Sequence, residues 1–459
     1  MGTELLAPLD LAFWHLESDA HPMHLGALAV FAPAPGPGAA PDHVLELLRT
    51  RAAAIPRLRM CVRDVLLPVG GAAWTVDKDF DVHRHVRRVA VDDGDFMAGA
   101  TRLAGELMEQ PLERGLPPWQ LYLIGGADGG PFAVLVKLHH ALADGMRAVA
   151  IGAGIFDEIA AATRPAPRGR PAVPPRSWLP DPREMAGMAL GRIGEVGRAL
   201  GVGASVVRAG RLDLRSTAFT APSSGTRRLA TADLDATALQ RIRRAEGGTA
   251  NDILLAVVAG ALRRWMAGRG EALPGTGPRA LVPVSRRRPG GAITGNRLSA
   301  YLLDLPVGAA DPRERLRAVR AAMDRNKAAG PLKGAGAVAV LADQLHPLAH
   351  RFGAPLAANA ARMLFDLLVT SVPLPRSALS LAGCPLSALY PMAPLARGQS
   401  LAVALSTYGG RVHVGLVADG KALPDLDRLA AAVGEEFAEL EALVTGDLRS
   451  GARAPEPVT

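Results

Sequence analysis

His139-His140-Ala141-Leu142-Ala143-Asp144-Gly145 follows directly on the apolar run Pro131-Phe132-Ala133-Val134-Leu135-Val136-Lys137-Leu138. A short apolar run closed by polar residues and a glycine reads as a buried strand that ends where the chain turns. Helical periodicity from Met146 to Ala162 follows. A strand end opening into a helix is where α/β proteins place chemistry, and an imidazole there titrates near neutral pH.

Strand residues alternate between faces. With the strand continued to its end, His140 shares a face with Phe132, Val134, Val136 and Leu138, and His139 shares one with Lys137. The two imidazoles then do not work as a pair. His140 projects among apolar side chains, where desolvation favours the neutral ring and leaves a nitrogen able to take a proton. Asp144 is expected to hold the turn through backbone N–H groups or an arginine, and Gly145 to allow a backbone conformation or close approach that a side chain would forbid. A metal site built from His139, His140 and Asp144 is disfavoured because opposite-facing histidines do not readily share one ion.

The run to the N-terminal side of this motif reads as a short helix (Leu9 to Glu17), a strand (Met23 to Phe31), a helix capped by Asp42 (to Ala54), an extended stretch (Trp74 to Val91), a helix (Met97 to Met108) and a strand (Pro117 to Gly126). Beyond the motif, Pro165 to Pro182 is too rich in Pro and Arg to hold a core and reads as a linker. Met185 to Val207 reads as an amphipathic helix, either packed on the body or lying on a membrane surface. Further on, Thr249 is placed to cap an apolar, buried helix from Asp252 to Trp265, with Asp252 near its positive end. Strands are expected at Arg279 to Val284, Ala300 to Val307, Ser400 to Thr407 and Val412 to Ala418, the last two joined by Gly409-Gly410. Helices are expected at Pro312 to Lys327, Leu356 to Leu368 and Leu423 to Leu443.

With 459 residues, the chain exceeds one comfortable core, so two lobes with a cleft between them are the expectation. The boundaries fall at 1–164 for an N-terminal lobe, 165–226 for the linker and amphipathic helix, 227–448 for a C-terminal lobe and 449–459 for a tail. Net charge is +8 and the isoelectric point about 10.0, which suits an anionic partner. The basic residues are scattered, with no zinc-finger spacing, aromatic RNA-binding signature or basic-region helix, so nucleic acid is not the expected partner. Cys61 and Cys384 form no CxxC pair and read as reduced, buried residues. The start shows no secretory signal and no apolar stretch is long enough to span a bilayer. A cytoplasmic protein is expected, with any contact to a membrane or lipid droplet peripheral.

The motif His139 to Gly145 matches the HHxxxDG pattern of the superfamily containing chloramphenicol acetyltransferase, carnitine acyltransferases, peptide-synthetase condensation domains and the bacterial wax ester synthase/diacylglycerol acyltransferases. Its surroundings resemble the last of these. Leu9-Asp10 to Phe31, with Pro22-Met23-His24-Leu25-Gly26 inside it, is similar to that family's N-terminal signature, as are Pro118-Trp119 and Gly248-Thr249-Ala250-Asn251-Asp252. Pro283-Val284-Ser285-Arg286, Gly295-Asn296-Arg297 and Asp304-Leu305-Pro306 resemble further blocks in order, so the likeness runs from Leu9 to about Ala418. It implies an α/β fold of two chloramphenicol-acetyltransferase-like lobes, each a mixed sheet with flanking helices, and an active-site tunnel at their interface.

The resemblance also implies transfer of a long-chain acyl group from acyl-CoA to an alcohol or diacylglycerol. His140 would act as general base, with His139, Asp144 and Gly145 around it and Asn251 a candidate oxyanion donor whose alternative is a structural helix start. Neither a metal nor a cofactor is required; acyl-CoA is a co-substrate. Arg286, Arg287 and Arg288 are candidates for the CoA phosphates, and Asp252 is counted with them on the substrate side. The alternatives are a condensation-type acyltransferase fed by a carrier protein, and a non-catalytic lipid-binding protein. Two segments depart from the family pattern. Ser371-Val372-Pro373-Leu374-Pro375 stands where Asn-Val-Pro-Gly-Pro is common, and Thr220 to Gly225 replaces a Leu-Asn-Gly stretch.

Overall fold

The computed structural model describes residues 4–33, 40–66, 69–91, 94–125, 130–158, 218–285, 298–329 and 364–451. The expected linker, the amphipathic helix from Met185 to Val207, and Arg286, Arg287 and Arg288 lie outside the described residues.

The N-terminal part runs β1 (Glu4–Leu5), α1 (Pro8–Leu16), β2 (His24–Phe31), α2 (Pro41–Ala54), β3 (Met60–Asp64), β4 (Ala72–Val76), β5 (Val86–Val89), α3 (Phe96–Glu109), β6 (Trp119–Gly125), β7 (Phe132–His139), α4 (Gly145–Ile155) and β8 (Asp157–Glu158). After the linker come β9 (Arg227–Asp235), α5 (Ala236–Glu246), α6 (Ala250–Gly268), β10 (Arg279–Ser285), β11 (Leu298–Asp304), α7 (Pro312–Ala329), β12 (Leu367–Val372), β13 (Leu379–Leu381), β14 (Cys384–Met392), β15 (Leu401–Tyr408), β16 (Arg411–Asp419) and α8 (Leu426–Gly451).

Local chemistry accounts for many of the boundaries. Asp95 caps α3 by accepting from the Met97 and Ala98 N–H groups, and Asp235 caps α5 in the same way. Thr249 and Asp252 close a reciprocal capping box on α6. That helix is buried almost throughout from Asp252 to Met266, so it lies inside the C-terminal lobe. Gly409 and Gly410, both at positive φ, make the two-residue hairpin between β15 and β16.

Several expectations need correction. Asp42 is not the cap of α2; Ala40 is, and Asp42 lies in the first turn at the positive end. The stretch from Trp74 to Val91 is broken by a single 3-10 turn at Val82–Arg84. The helix after the motif stops at Ile155 and gives way to β8. Leu367 and Leu368, expected to end a helix, belong to β12.

A seven-stranded mixed sheet has the order β5-β6-β7-β2-β14-β13-β8, and a six-stranded one the order β11-β10-β12-β15-β16-β9. The first sheet therefore takes β13 and β14 from the C-terminal half, with β14 antiparallel to β2. After β12 the chain crosses into the first sheet for β13 and β14 and returns to the second at β15. The two sheets face each other. Leu28 and Val30 of β2, Ala133 and Leu135 of β7, and Tyr390 of β14 share one buried cluster with Ala402 and Ala404 of β15 and Val417 of β16. Gly415 of β16 sits so close to the other sheet that a Cβ there would lie 2.1 Å from the Pro391 carbonyl oxygen. Only glycine permits that approach. The outer faces have their own cores, one under α5, α6, α7 and α8 and one under α1, α2 and α4. Both cysteines are buried and free.

Candidate active site

β7 is buried along its whole length and ends at His139. His140 is therefore the first residue of the turn, and its direction comes from that turn and not from strand alternation. Phe132, Val134, Val136 and Leu138 enter the N-terminal core, whereas Lys137 and His139 share the opposite face. β2 pairs alongside and sets His24 opposite His139.

The turn is tied down at each residue. The His139 N–H donates to the Pro118 carbonyl at 3.0 Å and the His140 N–H to the Met23 carbonyl at 2.8 Å. The Ala141 N–H donates to His139 Nδ1 at 3.0 Å. With Nδ1 accepting, Nε2 is the ring's donor nitrogen, and it lies 3.4 Å from Glu17 Oε1. Glu17 follows the last residue of α1. It also accepts from the Met23 N–H at 3.3 Å and from Arg114 at 3.1 Å. Burial pushes its carboxyl up, but His139, Arg114 and the Met23 N–H together hold it below the usual carboxylate range. Trp14 meets the His139 ring edge-on at 5.0 Å. These contacts hold the His139 ring in place.

His140 is only half-buried as a residue, and its ring stacks on Phe13 with centroids 3.9 Å apart and planes 19° from parallel. Burial pushes the imidazole down to about 4, with nearby Asp144 acting weakly the other way. At neutral pH the ring is uncharged and can accept a proton. Asp144, 3% exposed, caps α4 by accepting from the Arg147 N–H at 2.9 Å. Gly145 opens that helix without a positive φ, and a Cβ there would meet only the Val372 methyl groups at 3.9 and 4.0 Å. The expected backbone demand at Gly145 is absent; its bare Cα instead lies beside Val372 of β12.

On the neighbouring residue of β12, the Ser371 hydroxyl donates at 3.0 Å to Oδ1 of Asn251, the second residue of α6. Asp252 Oδ2 accepts from the Thr249 N–H at 2.8 Å and from its hydroxyl at 2.7 Å. Asp252 is 3% exposed, with Oδ2 engaged at the helix start. Among the described residues no cluster of three or more His, Cys, Asp or Glu is placed to hold a metal.

Phe13, Glu17, His24, Lys137 and Ser371 were not singled out as site residues from the sequence. Lys137 carried a signal, being a charge inside an otherwise apolar strand. It is fully buried and donates to the carbonyls of Leu107, at 2.8 Å, and Gln110. His24 Nε2 lies 2.7 Å from the Met108 carbonyl oxygen. Together they satisfy the carbonyl end of α3. Burial, then the Lys137 charge, pushes His24 well below the usual histidine range, and burial brings Lys137 down to about 7.

The described residues thus form two facing mixed sheets, with the histidine pair where a buried strand of one of them ends. Solved structures share the architecture. The wax ester synthase/diacylglycerol acyltransferase from Marinobacter aquaeolei VT8 superposes with a TM-score of 0.70 at 24% identity, covering 96% of this chain and 100% of that one. The starter condensation domain of rhizomide synthetase, solved with C8-CoA and Leu-SNAC, gives a TM-score of 0.55 at 15% identity over 96% of this chain and 94% of that one. The catalytic domain of the wax ester synthase/diacylglycerol acyltransferase family matches residues 6–254, and the C-terminal domain of the same family matches residues 294–441. A Mycobacterium tuberculosis protein named "Probable diacyglycerol O-acyltransferase tgs2" is 31% identical over 96% of this chain and 99% of its own length. The chain belongs to the wax ester synthase/diacylglycerol acyltransferase family and is an acyltransferase, with an acyl donor and an acceptor as substrates.

Proposed function

We propose that the protein transfers a long-chain acyl group from acyl-CoA to an alcohol, making triacylglycerol from diacylglycerol, wax ester from a fatty alcohol, or both. The observation that carries the mechanism is the desolvated, neutral His140 ring held against Phe13. The acceptor hydroxyl gives its proton to His140 as its oxygen attacks the thioester carbonyl carbon. The tetrahedral intermediate then collapses, the C–S bond breaks, and His140 returns the proton to the departing CoA sulfur. Asn251 donates a hydrogen bond to the oxyanion. His139 and Asp144 fix the turn. Neither a metal nor a bound cofactor takes part; acyl-CoA is consumed as co-substrate, and Arg286, Arg287 and Arg288 are suited to its phosphates.

The acceptor reading is supported by relatives such as the Mycobacterium tuberculosis protein named "Probable diacyglycerol O-acyltransferase tgs1", 31% identical over 95% of this chain. A CoA thioester as donor is supported by the C8-CoA held by the rhizomide starter domain. No described helix is long and apolar enough to cross a membrane, so contact with the lipid phase is proposed to be peripheral.

The test is thiol release from palmitoyl-CoA in the presence of dioleoylglycerol or hexadecanol, with the lipid product read by mass spectrometry. Ester formation by the wild type and its loss in folded His140→Ala is the expected result. Turnover by folded His140→Ala at the wild-type rate would overturn the general-base assignment. Acyl transfer from an acyl carrier protein but not from CoA would overturn the donor assignment.

A further inference from the structure

β12 ends between the two halves of the site. Its last two residues point to opposite faces, as neighbours on a strand must. Val372 faces Gly145 at the start of α4, while Ser371 reaches Asn251 at the start of α6. One strand end therefore touches the first turn of the helix that follows the histidine motif and the first turn of the helix that carries the candidate oxyanion donor.

We propose that Ser371 is a positioning residue that fixes the orientation of the Asn251 amide, so that Asn251 Nδ2, and not Oδ1, is presented to the reacting carbonyl. This rests on the proposal that Asn251 stabilises the oxyanion. An asparagine amide has two nearly isosteric branches with opposite chemistry, since Oδ1 only accepts and Nδ2 only donates. A developing oxyanion is stabilised by the donor and repelled by the acceptor. Without a partner to choose between them, the side chain would spend part of its time with oxygen toward the substrate.

The Ser371 hydroxyl donates to Oδ1 at 3.0 Å, which engages the acceptor branch and turns Nδ2 to the other side. Among the described residues no acceptor for Nδ2 is present. Asn251 is half-buried and Ser371 exposed, so the pair lies at an accessible surface where a ligand can reach it. Neither side chain is needed to start α6, because the cap is made by Thr249 and Asp252. The Ser371–Asn251 bond is therefore available for function. In the reaction Nδ2–H donates to the carbonyl oxygen as the C–O bond forms and negative charge collects on it, and the bond weakens again when the C–S bond breaks; no proton leaves the amide.

The experiment is steady-state kinetics of thiol release on the full chain, with palmitoyl-CoA and hexadecanol each varied, for Ser371→Ala, Ser371→Thr, Asn251→Ala, Asn251→Asp and the Ser371→Ala/Asn251→Ala pair. Circular dichroism and thermal melts confirm folding. Loss of one oxyanion donor costs on the order of 10²-fold in kcat, expected for both Asn251 variants. Ser371→Ala is expected to lower kcat about tenfold, the order of one hydrogen bond lost, with both KM values within about twofold of the wild type. Ser371→Thr keeps the hydroxyl and restores kcat. In the double variant the serine change adds nothing, because there is no amide left to orient. If Asn251→Ala and Asn251→Asp both keep wild-type kcat, the oxyanion assignment itself fails. If they lose kcat while Ser371→Ala does not, or if the two changes multiply, the oxyanion assignment stands and the positioning role of Ser371 is overturned.

Discussion

The Phe13 ring lies 3.9 Å from the His140 ring and 19° from parallel to it, although one residue belongs to α1 and the other to the turn after β7. The stack covers one face of the imidazole. It orients the ring and adds to the burial that brings its titration down to about 4.

That depressed value gives a pH prediction. A solvent-exposed imidazole loses its basic form as pH falls through about 6.5. His140 stays neutral down to about 4, so the acid limb of kcat/KM, which reports the free enzyme, is expected near 4 and not near 6.5. Activity is lost as pH falls through that limb. In Phe13→Ala water reaches the ring, and the limb is expected to move up toward 6.5. The pH profile of kcat/KM for both proteins, with folding followed by circular dichroism at each pH, is the check. A wild-type limb near 6.5 would show that the free ring is solvated.

The open space at Gly145 gives a second prediction. A methyl group there makes ordinary contact with Val372, so Gly145→Ala is expected to fold normally and to hold or gain up to about 1 kcal/mol, alanine being the better helix former. Gly145→Val adds branches that reach into Val372. It is expected to keep the fold but lose turnover with hexadecanol, and Val372→Ala in the same chain is expected to recover it. Unfolding of Gly145→Ala in a urea titration would show instead that the motif needs glycine for its backbone.

Lys137 supplies the third. Its amine titrates at about 7 when folded and at about 10.4 when unfolded. Below 7 both forms carry the proton and the cost of burying the charge is constant. Between 7 and about 10.4 the unfolded chain holds a proton that the folded chain has released, so this group makes stability rise with pH across that window. Lys137→Met is expected to lose stability at every pH, since the Leu107 and Gln110 carbonyls lose their donor at about 1–3 kcal/mol for each unsatisfied group. The gap between wild type and variant should widen from pH 7 to 9.5 in urea unfolding. A constant gap would mean that the amine is protonated throughout.

Much of this molecule was legible because the relevant contacts span only a few residues. The buried strand before the histidines, the all-round apolar α6 with its cap at Thr249, the hairpin at Gly409-Gly410 and the shared face of Lys137 and His139 all follow from a period of two, a period of 3.6 or a turn chemistry. The motif blocks from Leu9 onward placed the chain in its family for the same reason, since each is read as a local string. β13 and β14 were missed. Nothing in their own residues says that they leave the C-terminal half and pair with β2 and β8.

The α/β class, most elements around the motif and the choice of His140 as a candidate were therefore legible in the sequence alone. The environment of His140 was decided only by tertiary structure. Glu17 reaches His139, Phe13 covers His140, and Ser371 meets Asn251 across 120 residues of chain. Each of these pairs is created when separate elements pack, and local propensity carries no information about which distant side chain will arrive. The same packing buries the His140 ring and so pushes an ordinary histidine down to about 4.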